Sequence, residues 1–145
     1  MSRVLTVSNR LPTTVVATTD GFEVGPSAGG VATGLRRIHE EHGALWIGTA
    51  GVTPDQLSPE DWDRMTARLA LDDLVVVPVG TSEMERYYEG FANSLIWPIF
   101  HSQTGRAPLE TDDWDDYQRV NQRFADQVVA HYRPGDRIWI HDFHL

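Results

Sequence analysis

LVVVPV, residues 74–79, is a near-continuous apolar run. Such a run reads as a strand covered on both faces, the kind found in a parallel sheet with helices on either side. Its neighbours decide whether that sheet exists. Upstream, SPEDWDRMTARLA (58–70) offers Ser58 as a helix N-cap, Pro59 at the first helical position and acids in the first turn, with Trp62, Met65 and Leu69 on one face. Downstream, residues 112–132 set Trp114, Tyr117, Val120, Phe124 and Val128 along one stripe, with acids at the end where a helix dipole favours them. Further out, RVLTVS (3–8), ALWIG (44–48) and RIWIH (137–141) are short strand-like runs. VATGLRRIHEEHG (31–43) repeats Val31, Leu35 and Ile38 at helical spacing before Gly43, with His39 and His42 as charge complements at the helix end. The segment 13–24 around Asp20-Gly21 reads as a β-hairpin. Strands alternating with helices predict an α/β domain with a mostly parallel sheet and flanking helices.

Composition narrows the function. A chain of 145 residues, 41% hydrophobic, buries one ordinary core. It has no cysteine, which excludes disulfides, zinc ribbons, thiol catalysis and iron–sulfur clusters. The net charge of −9 argues against nucleic acid as a partner. All twelve basic residues are arginine, so an anionic ligand would be held by arginine forks and backbone amides. No run approaches the roughly 20 apolar residues of a membrane span, and the N-terminus lacks the apolar stretch of a signal peptide, so a soluble, cytoplasmic protein is expected. HDFHL follows directly on a strand, where a doubly wound domain continues into a covering helix. A fragment of a larger protein is therefore expected, with exposed sheet surface that makes it aggregation-prone.

In open α/β sheets, ligands bind at the carboxyl ends of the strands. Four groups sit at such ends or beside them. Ser8-Asn9-Arg10 follows the first strand and presents a guanidinium. Ser27-Ala28-Gly29-Gly30 precedes a helix whose free amides make an anion site, although Gly-Gly there is also an ordinary turn. His141-Asp142-Phe143-His144 ends the last strand; the cluster admits a metal, but Asp142 alternates away from both neighbours on a strand, and no further ligand is evident. The fourth group is YYEGFANSLIWPIFH (87–101), where Phe91, Leu95, Ile96, Ile99 and Phe100 have the character of packing residues. Tyr88 and Trp97 are nine positions apart, and at about 100° per residue a straight helix sets them on opposite faces. For both to line one cleft, the helix must break between them, with Gly90 and Asn93-Ser94 as break points and Pro98 starting a new turn or kinking the old one.

Several of these motifs together resemble one family. VSNRLP, SAGGVATGL, LWIGTAG, YYEGFANSLIWPIFH, YQRVNQRFAD and IWIHDFHL occur in the order and approximate spacing of the trehalose-6-phosphate synthases, retaining glucosyltransferases of the two-domain GT-B type. The resemblance implies that residues 1–145 are part of a Rossmann-like N-terminal, acceptor-side domain, the nucleotide-sugar domain lying beyond Leu145. It implies, for the parent enzyme, glucosyl transfer from UDP-glucose or another nucleotide-glucose to glucose-6-phosphate, giving trehalose 6-phosphate, with this chain inactive alone. Arg10 is similar to the family's phosphate-binding arginine and Tyr88 to its tyrosine partner. Trp97 and Asp142 resemble the residues that hold the acceptor sugar, with Asp142 positioning a hydroxyl. Gly30, and more weakly Gly29, is similar to the glycine whose backbone approaches the donor diphosphate. No metal or other cofactor is implied, and the full-length parent is left open to homo-oligomerisation. One departure is Trp46-Ile47-Gly48-Thr49-Ala50-Gly51, where many members have W-x-G-W-S-G. Two other readings are a non-catalytic sugar-phosphate-binding or regulatory module, and a metal hydrolase built on His141, Asp142 and His144.

Overall fold

Parallel pairing of short strands organises the computed structural model, which describes residues 3–27, 30–107 and 112–145. In chain order the elements are β1 (Val4–Arg10), β2 (Thr13–Thr18), β3 (Gly21–Pro26), α1 (Gly30–His42), β4 (Leu45–Thr49), α2 (Pro59–Ala70), β5 (Leu74–Val76), α3 (Thr81–Met84), a π-helix (Glu85–Ile96), α4 (Trp97–Phe100), α5 (Trp114–His131) and β6 (Arg137–Ile140). The main sheet runs β5-β4-β1-β6 with every neighbouring pair parallel, and β2 and β3 form the separate hairpin. Fold class and hairpin are as expected. Among the described residues, no helix is long and apolar enough to cross a membrane.

Alternation along the central strands builds two cores. Leu5 and Val7 of β1 and Leu45 and Ile47 of β4 meet Tyr87, Val120 and Phe124 from the π-helix and α5. On the other face, Trp46 packs with Leu11, with Val15 of the hairpin and with Met65 and Leu69 of α2. Ser58 caps α2 by accepting a hydrogen bond from the Asp61 amide at 3.1 Å. Gly43 ends α1 at φ +57°. His39 bonds the Asp72 carbonyl at 2.9 Å and sets its ring edge-on to Trp46, rather than complementing the end of its own helix. The side chains of Val31 and His42 lie outside the described residues.

Three expectations need correction. LVVVPV does not form a strand over 74–79. β5 stops at Val76 on the sheet edge, its last ladder bond runs from the Val77 amide to the Gly48 carbonyl at 2.8 Å, and Pro78 has no N–H to continue it. Second, the helix carrying Tyr88 and Trp97 does not break. Residues 84, 85, 96 and 97 all keep right-handed helical angles, and the Trp97 amide bonds the Ala92 carbonyl five residues back. This π-helical bonding widens the turn to roughly 4.4 residues, or about 82° per residue, so that nine steps return to within about 20° of the starting face. The wider turn also fits Pro98, whose ring would strike the carbonyl four residues back in a regular α-helix. Third, Ile99 and Phe100 are exposed, at 47% and 69%, whereas Pro98 is buried. α4 packs mainly on the helix it continues and on the 3₁₀ turn Thr104–Arg106, so its outer residues have no core to enter.

Two polar anchors fix this long helix. Asp55 accepts from the Thr81 amide at 3.0 Å and from its hydroxyl at 2.5 Å, and these bonds lower its carboxyl pKa to about 2. Glu83 takes a two-pronged ion pair from Arg123 of α5, at 2.5 and 2.7 Å. The Arg123 bonds hold Glu83 below its ordinary value of 4.5, against a smaller opposing effect of burial. A carboxyl lowered by folding stabilises the fold fully above its unfolded value and loses that contribution as the pH falls through its folded value. Glu83→Gln is therefore expected to cost about 1 kcal/mol near neutrality. In urea melts, the gap between the two proteins should hold above pH 4.5 and close in more acidic buffer.

Candidate functional site

The carboxyl end of β1 is shaped by Gly48. A Cβ on Gly48 would lie 2.9 Å from the Ser8 carbonyl oxygen, the Arg10 carbonyl carbon and the Leu11 nitrogen, all of them backbone atoms. Only glycine lets the two strands come this close. The β1–β4 register shifts here, from Val7 opposite Ile47 to Arg10 opposite Thr49, so β1 holds one extra residue. Ser8 and Asn9 are buried and hydrogen-bonded. The Ser8 hydroxyl accepts from Trp46 Nε1 at 2.8 Å and donates to the Arg10 carbonyl at 2.7 Å, while Asn9 Oδ1 accepts from the Tyr87 hydroxyl at 3.1 Å. Burial raises the Tyr87 pKa and keeps the phenol protonated. Arg10 emerges exposed, its guanidinium 5.9 Å from the Tyr88 ring centre. It pairs with no carboxylate among the described residues.

Thr49 and Ala50, which depart from the family pattern, are packed inside. The Thr49 hydroxyl donates to the Asn9 carbonyl at 2.6 Å, and Ala50 is fully buried. Neither lines a pocket described below.

Tyr88, Asn93 and Trp97 share one face of the widened helix and its continuation and, with Asp142, Phe143 and His144, line an open, shallow pocket of about 450 Å³. Residues 141–144 are not strand, which corrects the alternation argument for Asp142. β6 ends at Ile140, and Asp142 adopts φ +73°, a left-handed conformation that turns the chain back on itself. Its Oδ1 accepts from the Phe143 amide at 2.8 Å, and Oδ2 lies 3.6 Å from Nδ1 of His144. Phe143 packs on Trp97 with ring centres 5.0 Å apart, and His144 stacks on Tyr88 at 5.1 Å. Burial lowers the pKa of both His141 and His144, which favours neutral rings. Among the described residues, no three His, Asp or Glu side chains converge as a metal site.

Of the sequence candidates, Tyr88, Trp97 and Asp142 meet in this pocket, and Arg10 joins them through its contact with Tyr88. Gly30 stands apart as the exposed first residue of α1, with open space where a Cβ would be. Gly29 lies outside the described residues. Sequence reasoning missed Asn93 and Phe143 as pocket residues and gave His144 only a metal role. The signal for Asn93 was its place between Tyr88 and Trp97, five and four residues from them, once a wide turn is allowed.

Comparison with known proteins matches residues 2–145 to the model of glycosyltransferase family 20. The chain is 38% identical over 152 residues to a bifunctional trehalose-6-phosphate synthase/phosphatase of Thermoproteus tenax, covering 99% of this chain and 20% of that protein. It is 34% identical over 147 residues to an alpha,alpha-trehalose-phosphate synthase [UDP-forming] of Emericella nidulans, covering 99% of this chain and 28% of that one. The crystal structure of an alpha,alpha-trehalose-phosphate synthase (UDP-forming) from Burkholderia xenovorans in complex with glucose-6-phosphate superposes with a TM-score of 0.68 at 27% identity, over 99% of this chain and 28% of that one. The chain thus spans between a fifth and three tenths of these proteins.

The close approach at Gly48 is testable against another glycine. Gly48→Ala should destabilise by about 2 kcal/mol or more, because backbone atoms cannot swing away as a side chain could. Gly34→Ala, on α1 with nothing within 4 Å, should be neutral or stabilising by up to about 1 kcal/mol. Thermal melts of the two variants should move in opposite directions or differ by at least this gap.

Proposed function

The chain belongs to glycosyltransferase family 20, and from that premise we propose that it forms the acceptor side of a retaining glucosyltransferase. The reaction moves glucose from UDP-glucose to glucose-6-phosphate and yields trehalose 6-phosphate and UDP. The observation that carries the reading is the meeting of Tyr88, Trp97 and Asp142 in one pocket, with the Arg10 guanidinium over Tyr88. A volume of about 450 Å³ suits a hexose phosphate. Arg10 takes the phosphate, helped by the Tyr88 hydroxyl. Trp97, 45% exposed, offers a ring face to the sugar's C–H surface. Asp142 accepts from a sugar hydroxyl and orients it.

Retention proceeds here without a protein nucleophile. The bond from the anomeric carbon to the acceptor oxygen forms on the face from which the UDP phosphate leaves, and that departing phosphate takes the hydroxyl proton. Negative charge grows on the diphosphate, where amides and cations are effective. The amides at the start of α1, from Gly30 onward, are of the kind that serves this, and Gly29 precedes them in the sequence. Asp142 positions the acceptor and need not act as the base. Residues 1–145 are, on this reading, part of the N-terminal domain, and the groups that read the nucleotide come from a second domain. The 145 residues alone then bind the acceptor and do not turn over.

The test has two arms. The chain, expressed with any sequence that continues its reading frame, is supplied with UDP-glucose and glucose-6-phosphate; the phosphorylated disaccharide and UDP should appear together, and a folded protein that makes neither sinks the proposal. Calorimetry with glucose-6-phosphate should show an affinity reduced at least about tenfold by Arg10→Ala, since the loss of a charge-assisted phosphate contact is worth that much or more. Equal affinity in both proteins would remove Arg10 from the site.

A further inference from the structure

We propose that His144 is a positioning residue of this pocket: its Nδ1–H donates to Asp142 and fixes the carboxylate, while its ring ties that carboxylate to Tyr88. The inference rests on the acceptor-site reading above. It begins from an unpartnered atom. His144 is 7% exposed, and its Nδ1 is buried with no hydrogen-bond partner. A buried polar nitrogen without a partner is uncommon in a folded protein. The nearest carboxylate oxygen is Asp142 Oδ2 at 3.6 Å, too far for a hydrogen bond and near enough that a shift of about 0.7 Å would make one.

The surroundings select the direction of that bond. A bare nitrogen lone pair facing a carboxylate would be repelled, so the proton belongs on Nδ1. Burial favours the neutral ring, the Asp142 charge opposes this, and Arg10 reinforces it. Asp142 Oδ1 is already held by the Phe143 amide at 2.8 Å. With one oxygen anchored by the turn and the other by His144, the remaining lone pairs of the carboxylate point in fixed directions. A carboxylate has about four such sites, so two remain for a sugar hydroxyl.

The ring has a second use. It contacts both Tyr88, at 5.1 Å and 19° between planes, and Phe143, at 4.0 Å and 31°. Arg10 sits over Tyr88 at 5.9 Å. Arg10, Tyr88, His144 and Asp142 therefore form one run of successive contacts from the cation at one end to the carboxylate at the other. A histidine in the middle sets the spacing between the group that takes a phosphate and the group that takes a hydroxyl.

Nitrogen-15 NMR of the imidazoles in the 145-residue chain reads the tautomer directly. A neutral ring protonated on Nδ1 is expected; protonation on Nε2 with a bare Nδ1 overturns the proposal. Kinetics in the active protein supply the second readout. His144→Phe keeps an aromatic ring in the stack but has no donor, and should raise KM for glucose-6-phosphate about tenfold with KM for UDP-glucose within twofold. His144→Asn returns a donor near the Nδ1 position and should recover most of that loss. A His144→Phe acceptor KM within twofold of the parent makes His144 a packing residue and ends the proposal. In a double-mutant cycle with Asp142→Asn the effects should be far from additive, whereas additive effects would show that His144 does not act through Asp142. Should His144→Phe fail to fold, the tautomer of the unaltered chain decides. If the active-protein assay forms no trehalose 6-phosphate, the acceptor reading falls, while the tautomer measurement still accepts or rejects the His144–Asp142 bond.

Discussion

The backbone of residues 8–11 lies so close to Gly48 that no other residue fits there, and the site is built outward from that contact. In a regular strand, Ser8 and Arg10 would face one side of the sheet and Asn9 the other. The extra residue in β1 breaks this alternation. Ser8 turns to Trp46 on the α2 side, Asn9 turns to Tyr87 on the π-helix side, and Arg10 follows Asn9 to reach Tyr88. A strand without the bulge would send Arg10 to the opposite face from Tyr88. The cost of the bulge is a set of buried polar groups outside the ladder. Each is met by a named partner: the Thr49 hydroxyl for the Asn9 carbonyl, the Ser8 hydroxyl for the Arg10 carbonyl, and the Thr49 carbonyl for the Leu11 amide. This explains why a threonine suits position 49: its hydroxyl supplies the donor for the buried Asn9 carbonyl.

The second constraint is helical pitch. Tyr88 and Trp97 cannot share a face of an α-helix, and a break in the helix is one remedy. The chain takes another, in which the hydrogen bonds lengthen their reach by one residue and the helix remains whole. A Cβ at Gly90 would meet only the side chain of Asp113, which can swing aside, so Gly90 leaves room there without dictating the pitch. The widened segment needs outside support, since π-helical turns are rare and poorly favoured alone. It receives that support at both ends of its packing. Asp55 and Glu83 anchor the preceding turn, and Phe91 is set against Trp114 and Tyr117 of α5.

How far the sequence can be read depends on whether a feature is local. The helices α2 and α5 were legible because caps, first-turn acids and apolar stripes are written into contiguous residues: Ser58 and Met65 for one, Val120 and Phe124 for the other. The parallel sheet was legible from the alternation of elements, whereas its strand order is not written in that alternation. The end of β5 was misread because apolar residues continue past the point where Pro78 stops the ladder; Val77 and Val79 are core residues without being strand residues. Tyr88, Trp97 and Asp142 were legible as candidates from the motifs they occupy. Their meeting in one cleft was expected, but by a break in the helix; the wide turn of residues 85–96 that achieves it was not legible, because no periodicity in the segment expresses it.

Asp142 shows the same limit at a single residue. As a strand residue it would have been carried away from the neighbours on either side; instead its φ of +73° begins a turn that folds His144 back over Tyr88. Aspartate is among the few residues that enter this region at modest cost, because its carboxylate can bond its own local backbone, as Oδ1 does with the Phe143 amide. The conformation still costs on the order of 1–3 kcal/mol and persists only where surrounding contacts determine it. Those contacts are the His144–Tyr88 stack, which reaches the π-helix, and the Phe143–Trp97 contact, which reaches α4 directly after it. The turn and the wide helix therefore depend on each other. An α-helical 85–96 would take Trp97 away from Phe143 and leave the left-handed turn without one of its two supports, so pitch and turn have to change together or not at all.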